Sequence, residues 1–396
     1  MSSFDLNKIQ GIIKNMGFDG WLFFDFRGSN DLALNILNLP KESHLTRRFF
    51  YFIPKDGEPK KIVNAIEAGF LDHLPGEKLK YSNHSSLTNH LKNILKNVKS
   101  VAMEYSPLNA IPYVAKVDAG TIELIKSYGV EVKSSADLIS MFAAVWSQEQ
   151  FNDNKPVALE ITKIVRSAFD FIKTQLLSGL ELTEYDVQQF IMNEFDKRNY
   201  YTDSPPIVGV NENSANPHYA PTPEIFKPIH KNDFVLIDLW AKTKNTDSVW
   251  ADITWVGYAG TTVPEKYSNI FNIVAKARDE ALSFVSYRFA DHKEVRGFEV
   301  DDAARNVISK AGYGEYFFHR TGHSITTDLH GSGAHMDNYE TKDERLLLPS
   351  TSFSIEPGIY LPEFGVRSEI DVYITPDGKV MATGNDIQKF VLPILS

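Results

Sequence analysis

A carboxylate inside an apolar strand constrains a fold sharply, because a buried ionised acid costs several kcal/mol unless something compensates it. This chain has four. Phe353-Ser-Ile-Glu356-Pro-Gly-Ile-Tyr360 and Gly365-Val-Arg367-Ser-Glu369 read as two short strands joined by a Pro/Gly-marked turn and a loop, each carrying one glutamate among apolar residues. In Phe234-Val-Leu-Ile-Asp238-Leu-Trp240 an aspartate interrupts a run of the kind expected for a strand buried on both faces. Asp252 does the same in Val249-Trp-Ala-Asp252-Ile-Thr-Trp-Val256, and Thr254 should point to the same side of the sheet. Arg367 is near enough in sequence to pair with one glutamate, but these strands hold too few basic residues to pair four acids. Two divalent cations offset four negative charges, whereas one cation leaves two charges uncompensated in a low-dielectric site. The pattern therefore points to a cluster of two ions.

The nitrogen ligand is to be sought in Phe317-Phe-His319-Arg-Thr-Gly-His323-Ser-Ile-Thr-Thr-Asp-Leu-His330. One neutral imidazole would complete a carboxylate-rich site, and the others could donate hydrogen bonds to a substrate oxygen. Gly322 and the β-branched run after it favour loop then strand here, and periodicity does not choose among the histidines. His218, in Asn213-Ser-Ala-Asn-Pro-His218-Tyr, sits in a polar loop. The chain contains no cysteine, so any metal must rest on oxygen and nitrogen, and neither disulfides nor a cysteine nucleophile exist. A serine nucleophile is disfavoured because Gly322-His-Ser324-Ile-Thr326 lacks the last glycine of a nucleophile elbow. Gly331-Ser-Gly333 lacks the lysine of a phosphate loop and reads as a flexible connection.

The remaining sequence supplies the frame. Over residues 1–150, helical periodicity at 6–16, 85–97 and 121–128 alternates with short strand-like runs at 21–26, 49–53, 61–64, 100–104 and 131–133, which predicts an α/β domain with a mixed sheet. Its histidines, His44, His73, His84 and His90, show no metal-ligand spacing and read as surface or loop residues. The polar segment around Trp146 to Pro156 marks the expected boundary. Residues 151–396 then give helices at 157–177 and 184–199 and strands at 207–210, 234–240 and 249–258, followed by helices at 265–289 and 300–310 and strands at 353–359 and 366–374. Helix, helix, strands, twice, predicts two equivalent halves making one domain. A net charge of -10 argues against a general nucleic-acid or anionic-membrane binder. The N-terminal residues lack a signal-peptide pattern and no apolar run reaches membrane-spanning length, so the expected location is cytoplasmic.

Taken together, these motifs resemble the pita-bread metallopeptidase clan: the Xaa-Pro aminopeptidase, prolidase and creatinase branch, which carries an N-terminal creatinase/prolidase-like α/β domain before its duplicated α+β catalytic domain. The resemblance implies that Asp238, Asp252, His323, Glu356 and Glu369 are the five metal ligands, that His218, His319 and His330 are active-site histidines, and that Arg367 supports the ligand carboxylates. It implies two divalent ions, with Mn²⁺ suited to oxygen-rich ligation and Co²⁺, Fe²⁺ and Zn²⁺ also tolerated. The expected reaction is hydrolysis of the Xaa-Pro bond of a short peptide or other small amide, with Glu356 relaying the proton of the attacking water, by an enzyme that is commonly a homodimer. Two alternatives stand: a creatinase-like enzyme acting on a small non-peptide substrate, and a non-catalytic binding module. Departures from the family pattern at Leu239, Trp240, Trp255 and residues 324–331 are expected to act on the substrate pocket. A dipeptidase needs a cation for the substrate's carboxylate, and Arg345 or Lys342 could supply it, although the stretch 337–345 reads as a solvated loop.

Overall fold

The computed structural model describes residues 4–39, 45–384 and 386–396 of the chain, and His44 lies outside the described residues. Contacts divide the chain into two units, Met1–Ala143 and Ala144–Ser396.

In the first unit, strands β1 (Gly20–Asp25), β2 (Phe49–Pro54), β3 (Lys60–Asn64), β4 (Glu77–Tyr81), β5 (Ser100–Met103) and β6 (Glu131–Ser134) form one sheet in the order β4-β3-β2-β1-β5-β6. β1 pairs antiparallel with β2 and parallel with β5, giving the expected mixed sheet. Helices α1 (Leu6–Asn15), α2 (Asp31–Ile36), α3 (His84–Leu95), α4 (Ala119–Lys126) and α5 (Ala136–Ile139) complete it. Asp5 caps α1 by accepting the Lys8 N–H at 3.0 Å, and Ile9 and Ile13 form its buried stripe. β4, Glu-Lys-Leu-Lys-Tyr, was not foreseen, because a polar strand at a sheet edge lacks the apolar run that identifies a central one. His73 and His84 are exposed and His90 half-buried, and the imidazoles of His73 and His90 each contact a backbone carbonyl at 3.1 Å.

The second unit begins with α6 (Gln148–Leu177), nine residues earlier than the expected start. The polar stretch read as a boundary contains a capping box, in which Ser147 and Gln150 satisfy each other's backbone N–H groups, and this starts the helix ahead of Pro156. α7 (Glu184–Lys197) starts on a second capping box, Thr183 with Asp186. Strands β7 (Tyr200–Tyr201), β8 (Ile207–Val210), β9 (Phe234–Thr243) and β10 (Ala251–Tyr258) follow, then α8 (Glu265–Ala290), α9 (Gly297–Lys310), β11 (Ser324–Ile325), β12 (Ser352–Ile355), β13 (Gly358–Leu361), β14 (Phe364–Arg367), β15 (Ile370–Ile374), β16 (Val380–Ala382) and β17 (Leu392–Pro393). One sheet joins β17-β10-β9-β7 with β8 on β9, and another runs β11-β12-β15-β16. The helix-helix-strands order does repeat.

Strand alternation sorts the acids from the core. Val235, Ile237, Leu239 and Ala241 of β9 and Ala251, Ile253 and Trp255 of β10 join Val165, Phe169 and Ile191 of α6 and α7 in one apolar cluster. Asp238, Asp252 and Thr254 occupy the alternate positions and therefore the opposite face, with Thr254 directly across the ladder from Asp238. On β12 and β15, Phe353, Ile355, Ile370 and Val372 join the α8 and α9 core, while Ser354 faces Asp371 across the ladder. The two sheets meet where the Asp252 N–H donates to Asp371 Oδ2 at 2.7 Å and Thr254 Oγ1 donates to Glu369 Oε2 at 2.8 Å.

Candidate metal centre

Neither glutamate lies inside a strand, in contrast to the sequence expectation. Glu356 follows the end of β12 and precedes Pro357, and Glu369 sits between β14 and β15. Both are placed by their backbones: the Glu356 N–H donates to the Thr321 carbonyl at 2.7 Å and the Glu369 N–H to the Thr254 carbonyl at 3.3 Å. His323 is held between Gly322 and β11. A Cβ on Gly322 would stand 1.9 Å from the Ser354 carbonyl oxygen, so only glycine permits this approach. The approach lets the His323 N–H reach Ser354 Oγ at 3.0 Å, while the Ser354 N–H reaches the His323 carbonyl at 2.8 Å. Asp301 of α9, fully buried, fixes the preceding residue by accepting both the N–H and the hydroxyl of Thr321, at 2.9 and 2.6 Å.

Asp252, His323 and Glu369 each present a ligand atom, and these atoms lie within 4.8 Å of one another. His323 Nε2 is 3.8 Å from Asp252 Oδ2 and 3.5 Å from Glu356 Oε1. Burial, Glu369 and Asp238 push the Asp252 carboxyl well above the usual range, and burial, Glu356 and Asp238 do the same to Glu369. Burial and Asp238 raise Glu356 to about 7 against the pull of Arg367. Burial, His330 and Arg320 hold the His323 imidazole far below its usual range, hence neutral, which is the form that binds metal. Asp252 Oδ1 and Glu369 Oε1 are buried and find no hydrogen-bond donor among the described residues. Oxygens this enclosed normally have partners. Buried lone pairs, surplus negative charge and one neutral imidazole fit a divalent cation.

The other predicted residues surround this group. Asp238 is ion-paired to Arg367 Nη2. Arg367, fully enclosed, also donates from Nε to Thr254 Oγ1 at 3.0 Å and from Nη1 to the Tyr360 hydroxyl at 3.2 Å. It is thus a direct partner of one acid and lies 3.9 Å from Glu356. His319 uses both ring nitrogens, one 2.7 Å from the Tyr360 hydroxyl and the other 2.7 Å from the Arg320 carbonyl. Burial and Arg367 depress its pKa to about 3, leaving it neutral. His330 is exposed, with its ring centroid 4.2 Å from that of His323. His218 is exposed in its loop.

Residues 157–376 match the sequence profile of metallopeptidase family M24. The chain belongs to this family. It is 32% identical over 227 residues to an Xaa-Pro dipeptidase of Lactobacillus helveticus, a match spanning 57% of this chain and 56% of that protein. Over 302 residues it is 28% identical to an Xaa-Pro dipeptidase of Pyrococcus horikoshii, covering 73% of this chain and 74% of the other. In fold it is similar to a crystal structure of recombinant prolidase from Thermococcus sibiricus, with a TM-score of 0.59, 24% identity and coverage of 99% and 100% of the two chains. Dipeptidase PepE from Mycobacterium ulcerans gives a TM-score of 0.64 at 20% identity over 98% and 96%. The architecture is thus the pita-bread fold of the M24 enzymes.

Several of this M24 chain's departures fall away from the site. Leu239 and Trp255 belong to the α6 core, and the Trp255 ring lies 4.6 Å beneath the Arg166 guanidinium, so neither shapes a substrate pocket. Trp240 is half-buried and its indole N–H donates to Asp203 at 2.9 Å. The stretch 337–345 is not a solvated loop throughout, since Asp337, Asp343 and Arg345 are buried. Arg345 is committed to Asp343 at 2.6 Å and to the Ser332 carbonyl at 2.8 Å, while Lys342 pairs with Glu344 at 2.9 Å. Sequence reasoning missed Asp371, Tyr360 and Ser354. Asp371 had a signal, a fifth acid in the apolar run Ile-Asp-Val-Tyr-Ile, whereas a tyrosine or serine in a strand carries none. Tyr360 bridges His319 and Arg367, so Tyr360→Phe is expected to lower stability by about 1–3 kcal/mol, read from the denaturant midpoint, by leaving the Arg367 donor without an acceptor and the His319 ring nitrogen without a donor.

Proposed function

We propose that the chain is a divalent-metal-dependent hydrolase of the Xaa-Pro peptide bond, with Xaa-Pro dipeptides as its substrates. The observation that carries this reading is the buried Asp252, His323 and Glu369 group with its unpartnered carboxylate oxygens. The dipeptide assignment is supported by the M24 relatives named as Xaa-Pro dipeptidases. Asp252, His323 and Glu369 would hold one ion, and Glu356 and Asp238 would complete a set for two, for which Mn²⁺ suits the oxygen-rich donors. When bound, such ions supply Lewis acidity and a water nucleophile acidified to near neutral pH.

The chain's own residues do the rest. The Glu356 carboxylate accepts the proton lost by the attacking water and delivers it to the leaving nitrogen. His218 and His330, both solvent-exposed, donate hydrogen bonds to the developing oxyanion. Arg367 pairs with Asp238 and orients it, and His319 acts through Tyr360 on Arg367 rather than on substrate. Hydrolysis of Ala-Pro and of Ala-Pro-Ala, each followed by amine release with Mn²⁺ supplied, tests the assignment. Cleavage of the dipeptide alone is expected. Preference for the tripeptide would make the enzyme an aminopeptidase, and inactivity on both would refute the Xaa-Pro reading. His218→Ala is expected to lower kcat about 100-fold in the same assay with bound metal unchanged.

A further inference from the structure

Glu184, the first residue of α7, is fully buried and forms no ion pair among the described residues. Its carboxylate instead collects neutral donors from one stretch of chain. Oε1 accepts the Val210 N–H at 2.7 Å and Asn213 Nδ2 at 3.0 Å, and Oε2 accepts the Lys227 N–H at 2.7 Å and the Tyr219 hydroxyl. One turn along the same helix face, buried Gln188 donates from Nε2 to the Pro206 carbonyl at 2.9 Å and the Pro221 carbonyl at 3.0 Å. These partners bracket His218. The other side of the segment is pinned to β14, where the Gly365 N–H donates to Ser214 Oγ at 2.9 Å and a Cβ on Gly365 would stand 2.2 Å from the Ser214 carbonyl oxygen. β14 ends at Arg367, the partner of Asp238.

A buried carboxylate without a cation is a poor stabiliser, because its desolvation is offset only if every lone pair is met by a donor held in place. Two such polar anchors on one helix face, both spent on one loop, therefore have a geometric consequence. We infer that Glu184 and Gln188 are positioning residues that set the place of His218 relative to Asp238 and Arg367. The inference rests on the proposed role of His218 toward substrate.

Its test is a pair of variants with two readouts. Glu184→Gln replaces an acceptor oxygen by an amide that faces donors, and is expected to lower kcat about 100-fold, as for a reacting group misplaced by an ångström, with KM and bound metal near wild type. In the His218→Ala background the same change is expected to cost less than about threefold, because the residue it positions is already gone. Full additivity of the two losses overturns the inference. Independently of activity, chymotrypsin should cut the folded, Mn²⁺-loaded Glu184→Gln protein after Tyr219 and Phe226 at least about tenfold faster than wild type. An unchanged cleavage rate overturns the inference whatever the substrate proves to be, whereas inactivity of the wild type on Ala-Pro refutes only the proposed function. Should Glu184→Gln fail to fold, Tyr219→Phe removes one donor and is expected to show the same non-additivity with a loss of about tenfold.

Discussion

Glu369→Gln is expected to abolish hydrolysis of Ala-Pro, by at least about 1,000-fold in kcat/KM, while making the metal-free protein more stable than the wild type at pH 8. The two effects have one origin. Glu369 is buried beside Glu356 and Asp238, which raise its pKa well above that of a free glutamate. Its folded form therefore holds a proton that the unfolded chain has released, so ionisation opposes folding. The penalty is absent below the unfolded pKa near 4.5 and grows as pH rises toward the folded pKa. Glu356, raised to about 7, and Asp252 add to it in the same direction. Metal-free wild type should thus lose stability from about pH 4.5 to 8, and the neutral amide at position 369 should recover about 1–4 kcal/mol of it at the upper end. Bound divalent metal should reverse the order, stabilising wild type increasingly as pH rises, because its ligands bind only when deprotonated. Thermal midpoints of chelated and Mn²⁺-loaded wild type and Glu369→Gln at pH 5 and pH 8 check all four corners. A metal-free variant less stable than wild type at pH 8 would contradict the assignment of Glu369 as an uncompensated acid.

Arg367→Met should be among the most destabilising single changes in the second unit, costing about 3–5 kcal/mol. The guanidinium is fully enclosed and serves Asp238, Thr254 and Tyr360 together. Removing it strips Asp238 of its one ion-pair partner among the described residues and leaves Thr254 Oγ1 and the Tyr360 hydroxyl each without a donor. Here the sign is opposite to that of Glu369→Gln, since one substitution removes a surplus charge and the other exposes it. A urea midpoint within about 0.5 M of wild type at pH 7.5 would be incompatible with that role. Asp238→Asn combined with Arg367→Met should restore part of the loss, because the stranded acid is then neutral.

Much of the frame was legible in the apolar runs. Asp238 and Asp252 stand out as charges in otherwise apolar runs, and their parity along β9 and β10 turns them away from the α6 core. The histidine choice was legible only as a set. His323 is separated from His319 and His330 by a glycine approach to Ser354 and by the hold of Asp301 on Thr321, both contacts between segments distant in sequence. The start of α6 lies in the Ser147–Gln150 capping box, within a stretch whose polarity reads as a linker. Trp255 departs from the family pattern, yet its parity along β10 sets it on the face opposite Asp252. Arg345 and Glu184 are opaque for a physical reason: charged residues in polar stretches read as solvated, and only three-dimensional neighbours reveal that Asp343 or a ring of backbone and side-chain donors encloses them.

The central claim, that the buried acids and His323 exist to hold metal for peptide hydrolysis, is tested most directly by counting metal and turnover in one sample. Protein freed of divalent ions by chelation is titrated with Mn²⁺ at pH 8, with bound metal and Ala-Pro hydrolysis measured at each step. The expected result is no turnover without metal and activity rising to a plateau by two equivalents per chain, with Asp252→Asn and His323→Ala binding less metal and remaining inactive. Full hydrolysis of Ala-Pro by protein shown to contain no divalent ion would contradict it.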